Sequence, residues 1–151
     1  MRAVVQLVRE GRVEVENKVI SSIKTGYVIL LGISSKDTEA DIEYITDKII
    51  NLRIFKDSQG KLNNDIKSVN GEILIISQFT LYGDARKGRR PSYSDAASGE
   101  NAEILYNALV ERLKKNYMPE RISTGRFGAL MEVCLVNSGP VTILLDSEKK
   151  F

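Results

Sequence analysis

The chain has 151 residues, 42% of them hydrophobic and 28% charged, with a net charge of +2 at pH 7. That length and composition suit one soluble globular domain, 1–151, and leave no overall polycation for wrapping nucleic acid. The absence of histidine excludes Ser-His-Asp, Cys-His and histidine-ligated zinc sites, and a single cysteine, Cys134, excludes an internal disulfide and any CxxC pair.

No apolar run approaches the roughly 20 residues of a membrane helix. The first residues, Met1-Arg2-Ala3-Val4-Val5-Gln6, lack the apolar stretch of a signal peptide and read as a strand, so a cytoplasmic location with no membrane partner is expected. Residues 2–8 and 12–16 are short β-like runs, Glu16-Asn17-Lys18 makes a turn before the run 19–23, and Thr25-Gly26 breaks the chain again before 27–33. That last run is apolar throughout, as suits a strand buried on both faces, and connections this short favour antiparallel neighbours. Asp37 and Thr38 offer capping oxygens, with Asp41 at capping-box spacing, to a helix whose apolar stripe is Ile42, Ile45, Ile49 and Leu52. Asp57-Ser58-Gln59-Gly60 is a turn cluster, and 71–79 forms another strand. The polar, glycine- and arginine-rich stretch 83–99 reads as an ordered functional loop. Ser98 then caps a second helix of about 18 residues with Ile104, Leu105, Ala108, Leu109 and Leu113 on one face, ended by Met118-Pro119. Two last strands are expected over 130–137 and 141–146. Many short strands with two main helices predict an α+β domain around a curved, largely antiparallel, barrel-like sheet.

Two segments dominate the chemistry. Ser77-Gln78-Phe79-Thr80-Leu81-Tyr82-Gly83 and Asn137-Ser138-Gly139-Pro140-Val141-Thr142 each place hydroxyls, amides and backbone groups where an apolar run stops. Thr80 on its own is a good β residue; beside Gln78 and Ser77 it is also a candidate hydroxyl, and the backbone N–H groups freed at a strand end can bind a developing oxyanion. Alternation puts Gln78 and Thr80 on one face, Ser77 and Phe79 on the other. Gly139-Pro140 reads either as an ordinary hairpin turn or as a cis bond, which proline permits at modest cost, fixing two carbonyls toward a substrate ammonium group. Asn137 and Thr142 would pin that turn through side-chain-to-backbone bonds. Arg86, Lys87, Arg89 and Arg90, with Tyr93 close by, form either a solvated charged loop or a site for a phosphate backbone and a stacked base. Phe127 and Met131 belong either to the core or to the wall of a base pocket. Cys134, within an apolar run, reads as a buried inert thiol.

Together these segments resemble the D-aminoacyl-tRNA deacylases, the D-tyrosyl-tRNA deacylase family. The resemblance rests on residues 1–6, Leu52-Arg53-Ile54-Phe55, 77–84, Gly88-Arg89-Arg90-Pro91-Ser92-Tyr93, Thr124-Gly125-Arg126-Phe127-Gly128-Ala129 and 137–142, in the family's order. The pairing of SQxT with NxGPxT is its most specific part. Leu7 stands where the family often has arginine, and Ser138 where aspartate is frequent.

The resemblance implies a homodimer that hydrolyses the ester between a D-amino acid, or glycine, and the terminal adenosine of tRNA, without cofactor or metal. It implies a cis Gly139-Pro140 bond whose carbonyls enter the partner's site and exclude L side chains. It also implies backbone donation from Phe79 and Thr80, orienting bonds from Gln78 and Ser77, an adenosine pocket including Phe127 and Met131, and help from the ribose 2′-hydroxyl in activating water. Thr80 as covalent nucleophile is the competing mechanism. The rival functions are a non-catalytic RNA-binding dimer module using the 86–90 loop, and a structural dimerisation domain.

Overall fold

The computed structural model describes residues 1–150. Its central organising strand is β1 (Arg2–Val15), a single strand where the sequence suggests two runs. Ala3, Val5 and Leu7 are buried on one face; Val8, Val13 and Val15 are buried on the other. Leu7 and Val8 lie on opposite faces by ordinary period-2 alternation, and the phase then changes at Arg9, the extra residue between Val8 and Glu10 in the β1–β8 ladder, so that Val13 and Val15 join Val8 and one strand serves two cores. A turn with Glu16 and Asn17 at positive φ leads into β2 (Lys18–Ile23), which pairs antiparallel with the second half of β1. β3 (Gly26–Gly32) pairs antiparallel with the first half.

The central strands β3 and β6 (Glu72–Ser77) are covered on both faces, which explains their unbroken apolar composition. Tyr27, Ile29, Ile73 and Ile75 face the helices, while Val28, Leu74 and Ile76 fill the barrel interior. β3–β6 and β6–β7 (Ile122–Thr124) are parallel, whereas β1 pairs antiparallel with each of its three partners. The sheet is thus mixed, and the parallel pairs fall where a helix-bearing crossover separates the strands in sequence. The path β2-β1-β3-β6-β7 curls until Ser21 Oγ of β2 donates to the Thr124 carbonyl of β7 at 2.6 Å, leaving the barrel nearly closed. A small hairpin of β4 (Phe55–Lys56) and β5 (Leu62–Asn64) lies outside this sheet.

Helix α1 (Glu39–Asn51) starts as its sequence indicates. The Asp41 carboxylate accepts the Thr38 N–H at 2.7 Å and the Thr38 hydroxyl at 2.9 Å, and Ile42, Ile45, Ile49 and Ile50 turn inward. Helix α2 (Gly99–Asn116) follows Ser98, but its buried stripe is Tyr106, Leu109, Val110 and Leu113, and Ile104 is 61% exposed. The face is rotated because Tyr106, though polar at its tip, is the large side chain that fits beneath the helix. Its hydroxyl donates to the Ile75 carbonyl at 2.9 Å.

The two strands expected at the C-terminal end are one, β8 (Glu132–Asp146), and its centre does not turn back. Both halves run antiparallel to β1, with Val8 opposite Asn137 and Gln6 opposite Thr142. Residues 138–141 therefore oppose Leu7 alone and are extruded as a wide bulge, so the hairpin reading of Gly139-Pro140 is replaced by a bulge within a continuing strand. The Gly139-Pro140 peptide is cis. No described helix is long and apolar enough to cross a membrane.

The Ile75 carbonyl also accepts the Gly125 N–H at 2.9 Å, so Tyr106→Phe leaves it bonded. Loss of one neutral hydrogen bond without an orphaned partner should cost about 1 kcal/mol and lower the melting temperature by roughly 2–4 °C. A calorimetric loss above about 3 kcal/mol would show that the hydroxyl does more than cap this carbonyl.

Candidate functional site

At the end of β6 the strand gives way to a turn of 3₁₀ helix, Phe79–Tyr82. Gln78 N–H still donates to the Leu31 carbonyl at 2.8 Å; beyond it the backbone leaves the sheet, and Leu81 N–H and Gly83 N–H bond back to Gln78 and Thr80 carbonyls. The first amides of such a turn have no partner within it, and those of Phe79 and Thr80 find no acceptor among the described residues. The turn also breaks strand alternation. Ser77, Gln78 and Phe79 all border one cavity, while the Gln78 side-chain amide donates to the Thr80 hydroxyl, which lies outside it.

Arg2 braces this turn from behind. Its Nη1 donates to the Leu81 carbonyl at 3.0 Å, the guanidinium lies 4.5 Å from the centre of the Tyr82 ring, and Nε is 3.4 Å from the buried Asp146 carboxylate. Burial pushes the Tyr82 phenol well above its usual range.

The cavity has a volume of about 600 Å³, within the span of small-molecule sites. Opposite the turn, its wall is the segment after β7, with Phe127, Gly128, Ala129, Leu130 and Met131. Phe127 is held from below by the Tyr106 ring, 5.6 Å between centroids. Ala96, Ala97 and Ala102 contribute a third side made of small residues, which leaves the space open. These alanines and Leu130 were not singled out from sequence; the run Ala96-Ala97-Ser98-Gly99, lacking any bulk before a helix, was the available signal. Among the described residues no carboxylate, amine, guanidinium or thiol lines the cavity. Among the described residues no group of three or more histidine, cysteine, aspartate or glutamate side chains is arranged to hold a metal ion.

The structure therefore joins Ser77, Gln78 and Phe79 to Phe127 and Met131, and leaves the remaining candidates elsewhere. Gly139 and Pro140 are exposed on the bulge and do not border the cavity of their own chain. Gly139 has φ +113°, a conformation that L side chains rarely adopt. Asn137 does pin the bulge, its Nδ2 donating at 2.9 Å to both the Leu7 and Val141 carbonyls. Thr142 does not: its side chain makes no hydrogen bond among the described residues and faces solvent, because Val141 and Ile143 take the inward positions, and it contributes only by pairing with Gln6. Cys134 is half-buried.

The basic loop is closed at its base by Asp84 and Ser92, which exchange main-chain hydrogen bonds of 2.8 and 2.9 Å. Arg86 folds back onto Asp84 with side-chain contacts of 2.8 and 2.7 Å, and this bond holds the Asp84 carboxyl down to about 2. Lys87, Arg89 and Arg90 are exposed and make no ion pair with a described residue. The outward charge of the loop thus comes from three side chains rather than four.

Comparison with known proteins agrees with this architecture. The family model described as D-Tyr-tRNA(Tyr) deacylase matches residues 4–146. A D-aminoacyl-tRNA deacylase from Thermosipho melanesiensis is 56% identical over the full length of both chains. Among solved structures, a c-Myc DNA unwinding element binding protein is 45% identical with a TM-score of 0.93, covering 97% of this chain and 98% of its own. A probable eukaryotic D-amino acid tRNA deacylase shares the fold at 16% identity, with a TM-score of 0.82 over 95% of this chain and 97% of that one. With the matched motifs forming the cavity wall and the β8 bulge, the chain belongs to the D-aminoacyl-tRNA deacylase family.

Proposed function

We propose that this chain hydrolyses the ester between a D-amino acid and the terminal adenosine of tRNA, accepts glycyl esters, and rejects L-aminoacyl esters with main-chain groups supplied by a second copy. The observation that carries the reading is a cavity lined by a hydroxyl, an amide and Phe79 with its free backbone N–H, the Thr80 N–H next along the same turn, and no side-chain base among the described residues, with Gly139 and Pro140 standing outside it. An aminoacyl ester is already reactive, so positioning and oxyanion stabilisation supply the larger part of the acceleration. Water adds to the ester carbonyl, the Phe79 and Thr80 amides take the developing oxyanion, and the bond to the ribose oxygen breaks to give free amino acid and tRNA. Ser77 and Gln78 orient the substrate, the ribose 2′-hydroxyl assists the water, and Phe127 and Met131 hold the adenosine.

In this reading two copies associate through β8, whose outer edge has no strand beside it among the described residues, and through apolar surface that includes Leu130, 95% exposed, and Leu144, 54% exposed. The Gly139-Pro140 bulge, stitched by Asn137, then reaches the partner's cavity. Its carbonyls accept the substrate ammonium group and leave no room for an L side chain; glycine has none to clash. Rejection by a fixed main chain is selectivity against the abundant wrong substrate. Lys87, Arg89 and Arg90, with Arg86 shared with Asp84, meet the phosphates of the acceptor end, so binding weakens as salt rises.

Purified protein should release D-tyrosine from charged tRNA faster than L-tyrosine by roughly two orders of magnitude or more. Salt-sensitive tRNA binding without turnover would instead identify an RNA-binding module.

Because the Thr80 hydroxyl lies outside the cavity and is engaged by Gln78, Thr80→Ala should lower kcat by less than about tenfold, the value of one neutral hydrogen bond. A 2′-deoxy terminal adenosine should cost roughly a hundredfold or more, as expected for loss of a proton-transfer group. The reverse order, measured in single-turnover assays, would assign Thr80 as nucleophile.

A shared site also predicts complementation. Gly139→Ala, strained by its positive φ, and a turn variant such as Gln78→Ala should each be impaired alone. Mixed and re-equilibrated, they should recover about a quarter of wild-type activity, because half of a random mixture is heterodimer with one intact site. No recovery in exchanged heterodimers would confine each site to a single chain.

A further inference from the structure

We propose that Phe79 and Tyr93 form a stacking platform for the unpaired nucleobase preceding the terminal adenosine, an inference that rests on reading the cavity as an aminoacyl-adenosine site. The two rings meet edge to face, with centroids 5.1 Å apart and planes at 71°. Both stand on the rim of the cavity, and they are 58% and 40% exposed. A terminal nucleotide seated in the cavity has one neighbour in the chain, and a neighbour leaving over this rim meets both rings.

The backbone prepares Tyr93 for this position. Ser92, immediately before it, is tied to Asp84 by paired main-chain hydrogen bonds, and the Tyr93 carbonyl accepts the Ala96 N–H at 3.1 Å. Gly83 lets the ring close over the turn, since a Cβ there would stand 3.0 Å from the Tyr93 ring and 3.0 Å from the Thr80 carbonyl. The platform is thus tied at one end to the turn that carries the Phe79 and Thr80 amides.

Charge identifies the occupant. The Asp84–Ser92 pairing makes 85–91 a projecting loop rooted beside Tyr93, and it carries Lys87, Arg89 and Arg90, none of them ion-paired with a described residue. Exposed aromatic faces next to a cationic run suit single-stranded nucleic acid, whose bases stack while its phosphates meet the cations. A second copy of a chain that itself carries +2 is the less favoured cover for the same surface. Stacking of this kind tolerates any base and so reads position rather than sequence.

The test compares D-tyrosyl esters of adenosine and of a dinucleotide ending in adenosine, with D-tyrosyl-tRNA as reference. The dinucleotide ester should show kcat/KM roughly tenfold or more above the nucleoside ester, mainly through KM. Tyr93→Leu should remove most of that advantage and Tyr93→Phe should keep it. Independently of any variant, 2-aminopurine at the penultimate position of a short uncharged RNA ending in adenosine should lose fluorescence on binding the wild-type protein. Equal kcat/KM for the two esters, unquenched fluorescence of the bound RNA, or a Tyr93→Leu loss equal on both esters would overturn the platform. So would dissociation of a wild-type dimer by Tyr93→Leu, which would make the ring a subunit contact. If D-tyrosyl-tRNA is hydrolysed but the dinucleotide gains nothing, the platform alone falls; if no ester is hydrolysed, the deacylase reading falls and the platform with it.

Discussion

Strand β1 must satisfy two cores with one backbone, and most of what is distinctive in this fold follows from how it does so. Its first half buries Ala3, Val5 and Leu7 against the helix side, and its second half buries Val8, Val13 and Val15 in the barrel interior. A regular ladder cannot accompany a strand through such a change of phase, because every side chain of the partner would be sent to the wrong face. The β1–β8 ladder breaks register twice in succession here: Arg9 is the extra residue of β1 between Val8 and Glu10, and just before it residues 138–141 of β8 oppose Leu7. The Leu7 carbonyl is satisfied by the Asn137 side chain, so the protrusion is closed off at its base without a vacant main-chain acceptor there. The exposed Gly139-Pro140 bulge thus lies beside the point where β1 passes from one core to the other.

The cavity shows a matching economy. Its functional groups arise because β6 ends beside β3 and a 3₁₀ turn begins, releasing two amides, and because small residues at Ala96, Ala97 and Ala102 leave volume unfilled. Tyr106 links the layers, with its hydroxyl on the Ile75 carbonyl and its ring against Phe127. Helix packing, strand pairing and the cavity wall therefore share one buried side chain. Arg2 does the same on the opposite side of the turn, linking Leu81, Tyr82 and Asp146.

Much of this was legible in the residues themselves, for identifiable reasons. The α1 cap was readable because Thr38 and Asp41 interact within one helical turn, and the doubly buried β3 because its apolar run admits no wet face. Short connections correctly indicated antiparallel neighbours for β1, but the parallel β3–β6 and β6–β7 pairs depend on crossovers that local pattern does not report. The stripe of α2 departs from the aliphatic pattern at Ile104 because an aliphatic count overlooks what Tyr106 gains by reaching a carbonyl inside the core. The β8 bulge reads from sequence as a chain reversal because glycine followed by proline signals a turn equally well in either setting; only the register against β1 distinguishes them. Thr142 and Asn137 looked equivalent in sequence, yet strand alternation sends one outward and the other across the bulge.

The last stretch of the barrel wall, between β2 and β7, is fastened differently from the rest. There the Ser21 hydroxyl meets the Thr124 carbonyl in place of a ladder of backbone bonds, and the next residue, Gly125, begins the segment that walls the cavity. A seam closed by a side chain can part without unzipping a strand pair. The segment carrying Phe127 and Met131 thus leaves the barrel at a joint fastened by one side-chain bond toward β2 and by the Gly125 main-chain bond to Ile75 toward β6.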